Sequence, residues 1–205
     1  MIFLGLFIFF IFLLAYYRKK GLREQEDIEQ AFWDRENDAN HVRRKDISGL
    51  PYISIPLEKF PINMCGNEKL KECETELTRL SSAKILNLGN QTNTDLKMKY
   101  GPANLDALGE CQDNFITLCR VLVTYAETLL SLGYRDGART VLSFGIACGS
   151  DHSKNYELLA GLYQEQGDAA ALEELLAKAK TLDTPMKQSI ISHLEAALEA
   201  CHTAP

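Results

Sequence analysis

Residues 119–152, CRVLVTYAETLLSLGYRDGARTVLSFGIACGSDH, and residues 153–186, SKNYELLAGLYQEQGDAAALEELLAKAKTLDTPM, carry one pattern twice. Gly133 and Gly167 stand 34 residues apart. In the same register Leu122 pairs with Tyr156, Tyr125 with Leu159, Ala126 with Ala160, Leu129 with Tyr163 and Leu142 with Leu176. Apolar residues recur at three- and four-residue steps on both sides of each glycine, the mark of two amphipathic helices joined by a turn. Each unit therefore reads helix, glycine-centred turn, helix. Ala126 and Ala160 sit where two helices cross closely and only a small side chain fits, while Gly133 and Gly167 let the first helix end with positive φ.

This arrangement resembles the tetratricopeptide repeat family over residues 119–186, about a third of the chain. It departs from the family at Gly145 and Leu172, both of which stand where alanine is the norm. The resemblance implies an all-α, hairpin solenoid whose first helices line a concave binding surface. Arg120 and Lys154 then occupy equivalent places near the start of successive inner helices and form a small basic ladder. Glu127, Glu157 and Gln164 share that surface, and these five residues are the candidate partner-binding set.

Outward from the repeat, residues 187–205 supply a capping helix and tail, with Ile190, Leu194, Ala197 and Leu198 facing inward. About three repeats are needed to bury a continuous core, so residues 67–118 are expected to provide an amino-terminal helical layer. Leu70, Cys73, Leu77 and Leu80 place one helix over 67–88, ending near Gly89. The helical signal resumes at Asp95, breaks at Tyr100-Gly101-Pro102, and continues from Pro102 as a new helix to Leu132. Residues 46–66 have Pro51, Pro56 and Pro61 at five-residue intervals, which excludes a helix. They are too apolar for a free linker, so this arm packs either on the chain's own helices or on a partner or the groove of a neighbouring copy.

Residues 2–17, IFLGLFIFFIFLLAYY, are followed by Arg18, Lys19 and Lys20. The pattern predicts a transmembrane helix over 1–17 with its basic flank inside. The expected topology is a single-pass cell-membrane protein, its amino terminus outside and its soluble domain cytoplasmic. Residues 18–45, with eight basic and seven acidic side chains, read as a solvated juxtamembrane helix or stalk. In a reducing compartment the six cysteines are free thiols.

The net charge of −6 is uneven: from Asp46 onward there are 14 basic and 21 acidic residues. That balance argues against a nucleic-acid partner, which calls for clustered Lys and Arg. No phosphate-binding glycine loop, H-E-x-x-H or G-x-S-x-G occurs, and no cysteine–histidine group has zinc spacing, so neither catalysis, cofactor nor metal is expected. The leading reading is a membrane-tethered interaction module that binds another protein or peptide. The alternative is a structural, self-associating membrane protein that forms a homo-oligomer through the Pro-rich arm. A thiol-based redox sensor is a third and more distant reading.

Overall fold

The computed structural model describes residues 2–64 and 66–203, with the backbone alone for residues 2–6, 8 and 203. Among these there is no strand, and eight α-helices follow one another: α1 (Ile2–Asn40), α2 (Glu68–Ser81), α3 (Asn93–Tyr100), α4 (Leu105–Ser131), α5 (Arg135–Ala147), α6 (Ser153–Gln166), α7 (Ala169–Lys180) and α8 (Lys187–Thr203). The chain divides into two units, one formed by Met1–Ile47 with Thr92–Leu105, the other by Ser48–Gln91 with Asp106–Pro205.

In the first unit α1 runs unbroken from the apolar segment into the charged one. Among the described residues no helix is long and apolar enough to cross a membrane. The apolar run of the sequence, Ile2 to Tyr17, covers about 24 Å at 1.5 Å per residue. A hydrocarbon core is about 30 Å thick, and the same helix goes on directly through Arg18, Lys19 and Lys20. The expected transmembrane helix over 1–17 is thereby corrected, and the single-pass placement with a cytoplasmic domain falls with it. The side chains of residues 1–6 and 8, on which part of that expectation rested, lie outside the described residues.

The stalk does form a helix, but its far end is not solvated. Ala39 is buried, and α1 packs against α3. Glu36 pairs with Lys97 and accepts from the Thr94 hydroxyl at 2.8 Å, and these partners hold its carboxyl below the usual range. Arg35 reaches Asp95 at 2.5 Å. Asp95 also closes a capping box with Thr92, which starts α3. At the other end of α3, the buried Asn104 amide donates to the Lys45 and Tyr100 carbonyls at 2.8 and 2.7 Å. Gly101, at φ +88°, lets the backbone of Arg43 come so close that a Cβ would lie 2.7 Å from its carbonyl oxygen.

The second unit is built on the two hairpins. The α4–α5 turn has Gly133 at φ +84° and the α6–α7 turn has Gly167 at φ +67°. In both, the N–H after the glycine reaches back across the helix end: Tyr134 to the Leu129 carbonyl and Asp168 to the Tyr163 carbonyl, each at 2.9 Å. Ala126, Ala138, Leu142, Leu159, Ala160 and Leu172 are buried in one continuous core. α8 lies against α6 and α7 with Ile190, Ile191 and Leu194 buried, as a capping helix requires.

The expected 67–88 helix is shorter. α2 stops at Ser81, and residues 82–91 run as an irregular segment that inserts Ile85, Leu86 and Leu88 into the interior. Its backbone is satisfied outside any helix: the Leu86 N–H donates to the Cys111 carbonyl at 3.2 Å. The Pro-rich stretch takes the first of its two expected courses and packs on the chain's own helices. Ile55 and Phe60 are buried, Phe60 meets Phe144 edge to face at 5.5 Å, and the Ile53 N–H donates to the Ile85 carbonyl at 2.9 Å. A buried polar knot holds the end of the arm. Glu74 accepts the Asn63 N–H at 3.1 Å, and the Tyr125 hydroxyl lies 3.0 Å from the Pro61 carbonyl and 3.1 Å from Glu74.

Candidate functional site

One face of α4 forms the floor of a cavity of about 850 Å³ within the second unit. Gln112, Phe115, Ile116, Cys119 and Arg120 reach it together because steps of three and four residues share a helix face. Three connections wall it: residues 87–90 before α3, residues 149–152 between α5 and α6, and residues 181–184 between α7 and α8. The volume lies in the range of small-ligand and peptide clefts.

The walls are tied to their surroundings. The Asn87 side-chain amide donates to the Cys148 and Gly149 carbonyls at 3.3 and 3.1 Å. The Leu88 N–H donates to the Gln112 side-chain oxygen at 2.8 Å, and Asn90 donates to the Asp183 carbonyl. These bonds use the amides of the 87–90 segment and leave other groups for a ligand. Ile116 is 47% exposed although it is a large apolar residue. Among the described residues of this unit, Arg79 faces Glu76, Arg135 faces Glu165 and Arg139 faces Asp136, whereas Arg120 faces no carboxylate. Asp151 and Asp183 likewise have no cationic partner among the described residues.

The five sequence-derived residues are not brought together. Arg120 is in the cavity. Glu127, two turns further along α4, lines a separate depression with Asn67 and Thr124. Lys154 pairs with Glu157 at 3.2 Å along the first turn of α6, so its ammonium is already engaged. Gln164 is exposed near the end of α6 and borders neither space. Among the described residues, the ladder of Arg120 and Lys154 is thus one cation without an ionic partner and one paired cation. The sequence reading missed the wall residues Asn87, Asn90, Asp151 and Asp183, all in connections, where helical periodicity gives no signal.

Cys119 lines the cavity, and its thiol is pushed up to about 11 by burial, against the lowering effect of a Ser150 hydrogen bond. Burial pushes Cys148 up to about 12. At neutral pH such thiols are almost wholly protonated and are poor nucleophiles, which weighs against the redox-sensor reading. Cys65 lies outside the described residues, and the other five cysteines are free. Among the described residues no group of three His, Cys, Asp or Glu side chains is placed to hold a metal ion. The Pro-rich arm contributes no lining residue, so the cavity is bordered by the 87–90 segment and not by the arm. Compared with family models, curated proteins and solved structures, the chain matches none.

Proposed function

We propose that the second unit is a protein-interaction module of tetratricopeptide-like hairpins that docks a partner segment in the groove beside α4. The observation that carries this reading is the pairing of an exposed Ile116 with an Arg120 that has no ionic partner among the described residues, one turn apart on the floor of a tied-down cleft. Such a surface offers apolar area together with five directed N–H donors, the combination that anchors peptide backbones and side chains. The matched turns at Gly133 and Gly167, the small Ala126 and Ala160 at the crossings and the α8 cap support the repeat assignment.

The self-association alternative began from the apolar character of the Pro-rich arm. Ile55 and Phe60 are buried in the arm's own unit, so that character has an internal use.

The test places a photo-crosslinking amino acid at Ile116 in the full chain, with a control at the exposed Glu173 on α7. The expected result is a specific adduct from position 116 alone, reduced about tenfold by Arg120→Ala, with the captured protein then binding the purified chain directly. Equal labelling from both positions, or capture indifferent to Arg120→Ala, refutes the proposal.

A further inference from the structure

We infer that the occupant of this groove is an extended, net-basic segment of the partner; the inference rests on the groove being the docking surface proposed above. Asp151 and Asp183 project from two different connections that wall the same cavity, and neither has a cationic partner among the described residues. Lys154, the cation nearest Asp151 in sequence, is committed to Glu157, and Lys180 and Lys187, which flank Asp183 in the chain, form no ion pair with it. Two unneutralised carboxylates around one cleft favour ammonium or guanidinium groups on the ligand. The long-range field has the same sign, since the chain from Asp46 onward has 21 acidic residues against 14 basic.

Arg120 gives the segment a direction as well as a limit. A guanidinium has donors and no acceptor, so on a basic ligand it holds backbone carbonyls or a single carboxylate along α4, while the ligand's cations face the loops. A polyacidic or multiply phosphorylated segment meets two carboxylates for each guanidinium and is repelled, which makes Asp151 and Asp183 determinants of specificity. Ile116 sets the remaining requirement, one large apolar side chain among the basic ones.

The experiment pans the full chain against a phage library of random dodecapeptides. The expected clones are net positive and contain a large apolar residue. A synthetic peptide of the leading clone should crosslink to a photoreactive group at Ile116. Its affinity should fall roughly five- to twentyfold in the Asp151→Asn/Asp183→Asn variant, with a shallower salt dependence than wild type. Both aspartates are exposed, so the variant keeps its fold, checked by an unchanged urea midpoint. Neutral or acidic clones that crosslink at position 116 overturn the charge inference and leave the groove standing. Basic clones that bind the variant as tightly as wild type and do not crosslink at 116 overturn both, as does the absence of any enriched clone.

Discussion

Gly145 lies in the last turn of α5, where alanine is worth up to about 1 kcal/mol more than glycine to an exposed helix. The substitution Gly145→Ala nevertheless should destabilise the protein. A Cβ built on Gly145 falls 2.4 Å from the side-chain nitrogen of Asn155 and 3.3 Å from its Cγ. Asn155 is only 1% exposed, on the first turn of α6, and has no room to swing away. Overpacking of this kind costs about 1–3 kcal/mol, which offsets or outweighs the propensity gain of about 1 kcal/mol and leaves a net loss of up to roughly 2 kcal/mol. The assay is urea unfolding of the full chain and of a double-mutant cycle with Asn155→Ala. Removing the asparagine side chain makes the space, so Gly145→Ala on the Asn155→Ala background should be stabilising by up to about 1 kcal/mol, with a coupling of about 1–3 kcal/mol between the sites. The Asn155 side-chain oxygen has no hydrogen-bond partner, so the second substitution removes packing and leaves no new orphan on the oxygen's side. A stabilising single Gly145→Ala, or a coupling under about 0.5 kcal/mol, would refute the reasoning.

Three further outcomes follow from named contacts. Tyr125→Phe removes the donor between the Pro61 carbonyl and buried Glu74, and should cost about 1–3 kcal/mol in urea unfolding while making the arm around Pro61 more sensitive to limited proteolysis. Gly167→Ala places a Cβ at φ +67° in open space, so backbone strain alone acts; the loss should be about 1–2 kcal/mol, and Gly167→Asn should recover part of it. For Cys119 and Cys148 the folded thiols titrate at about 11 and about 12 against an ordinary 9.0, so above pH 9 the unfolded chain binds fewer protons than the native one. Their contribution is constant below pH 9 and is lost as pH rises from 9 towards 11–12, a decline that Cys119→Ala/Cys148→Ala should flatten when urea midpoints are compared across that range.

The hairpins were legible because helix period, small crossing residues and positive-φ glycines are local signals. Ala126, Ala160, Gly133 and Gly167 each state their own requirement without reference to distant chain. The same locality explains what was missed. Leu80 ends the helical steps of α2, but nothing near it in sequence says that Ile85, Leu86 and Leu88 will be buried in an irregular segment, because the groups that satisfy that backbone, Cys111 and Gln112, come from α4. Gly145 looked like a defect in the repeat, and its reason is Asn155, ten residues further along. The candidate site was legible at one residue in five. Arg120 was placed by repeat register, which also placed Lys154, but register carries no information on whether Glu157 one turn later will take up the charge.

That difference between the two cations bears on how the groove works. A repeat surface built only from register would present Arg120 and Lys154 alike, and its affinity would be spread along the inner helices. On the docking proposal, the 87–90 segment concentrates it. Asn87 is bonded to the end of α5, Leu88 to Gln112 on α4 and Asn90 to Asp183 before α8, so one short connection links three walls of the cavity. A cleft fixed in this way is formed before a ligand arrives, and a docking segment has less ordering of loops to offset on binding. Replacing Asn87 by alanine removes the bonds to Cys148 and Gly149 without touching Arg120, Asp151 or Asp183. Its effect should therefore appear as a slower, weaker association with the same ionic selectivity, whereas Asp151→Asn/Asp183→Asn should change the selectivity itself.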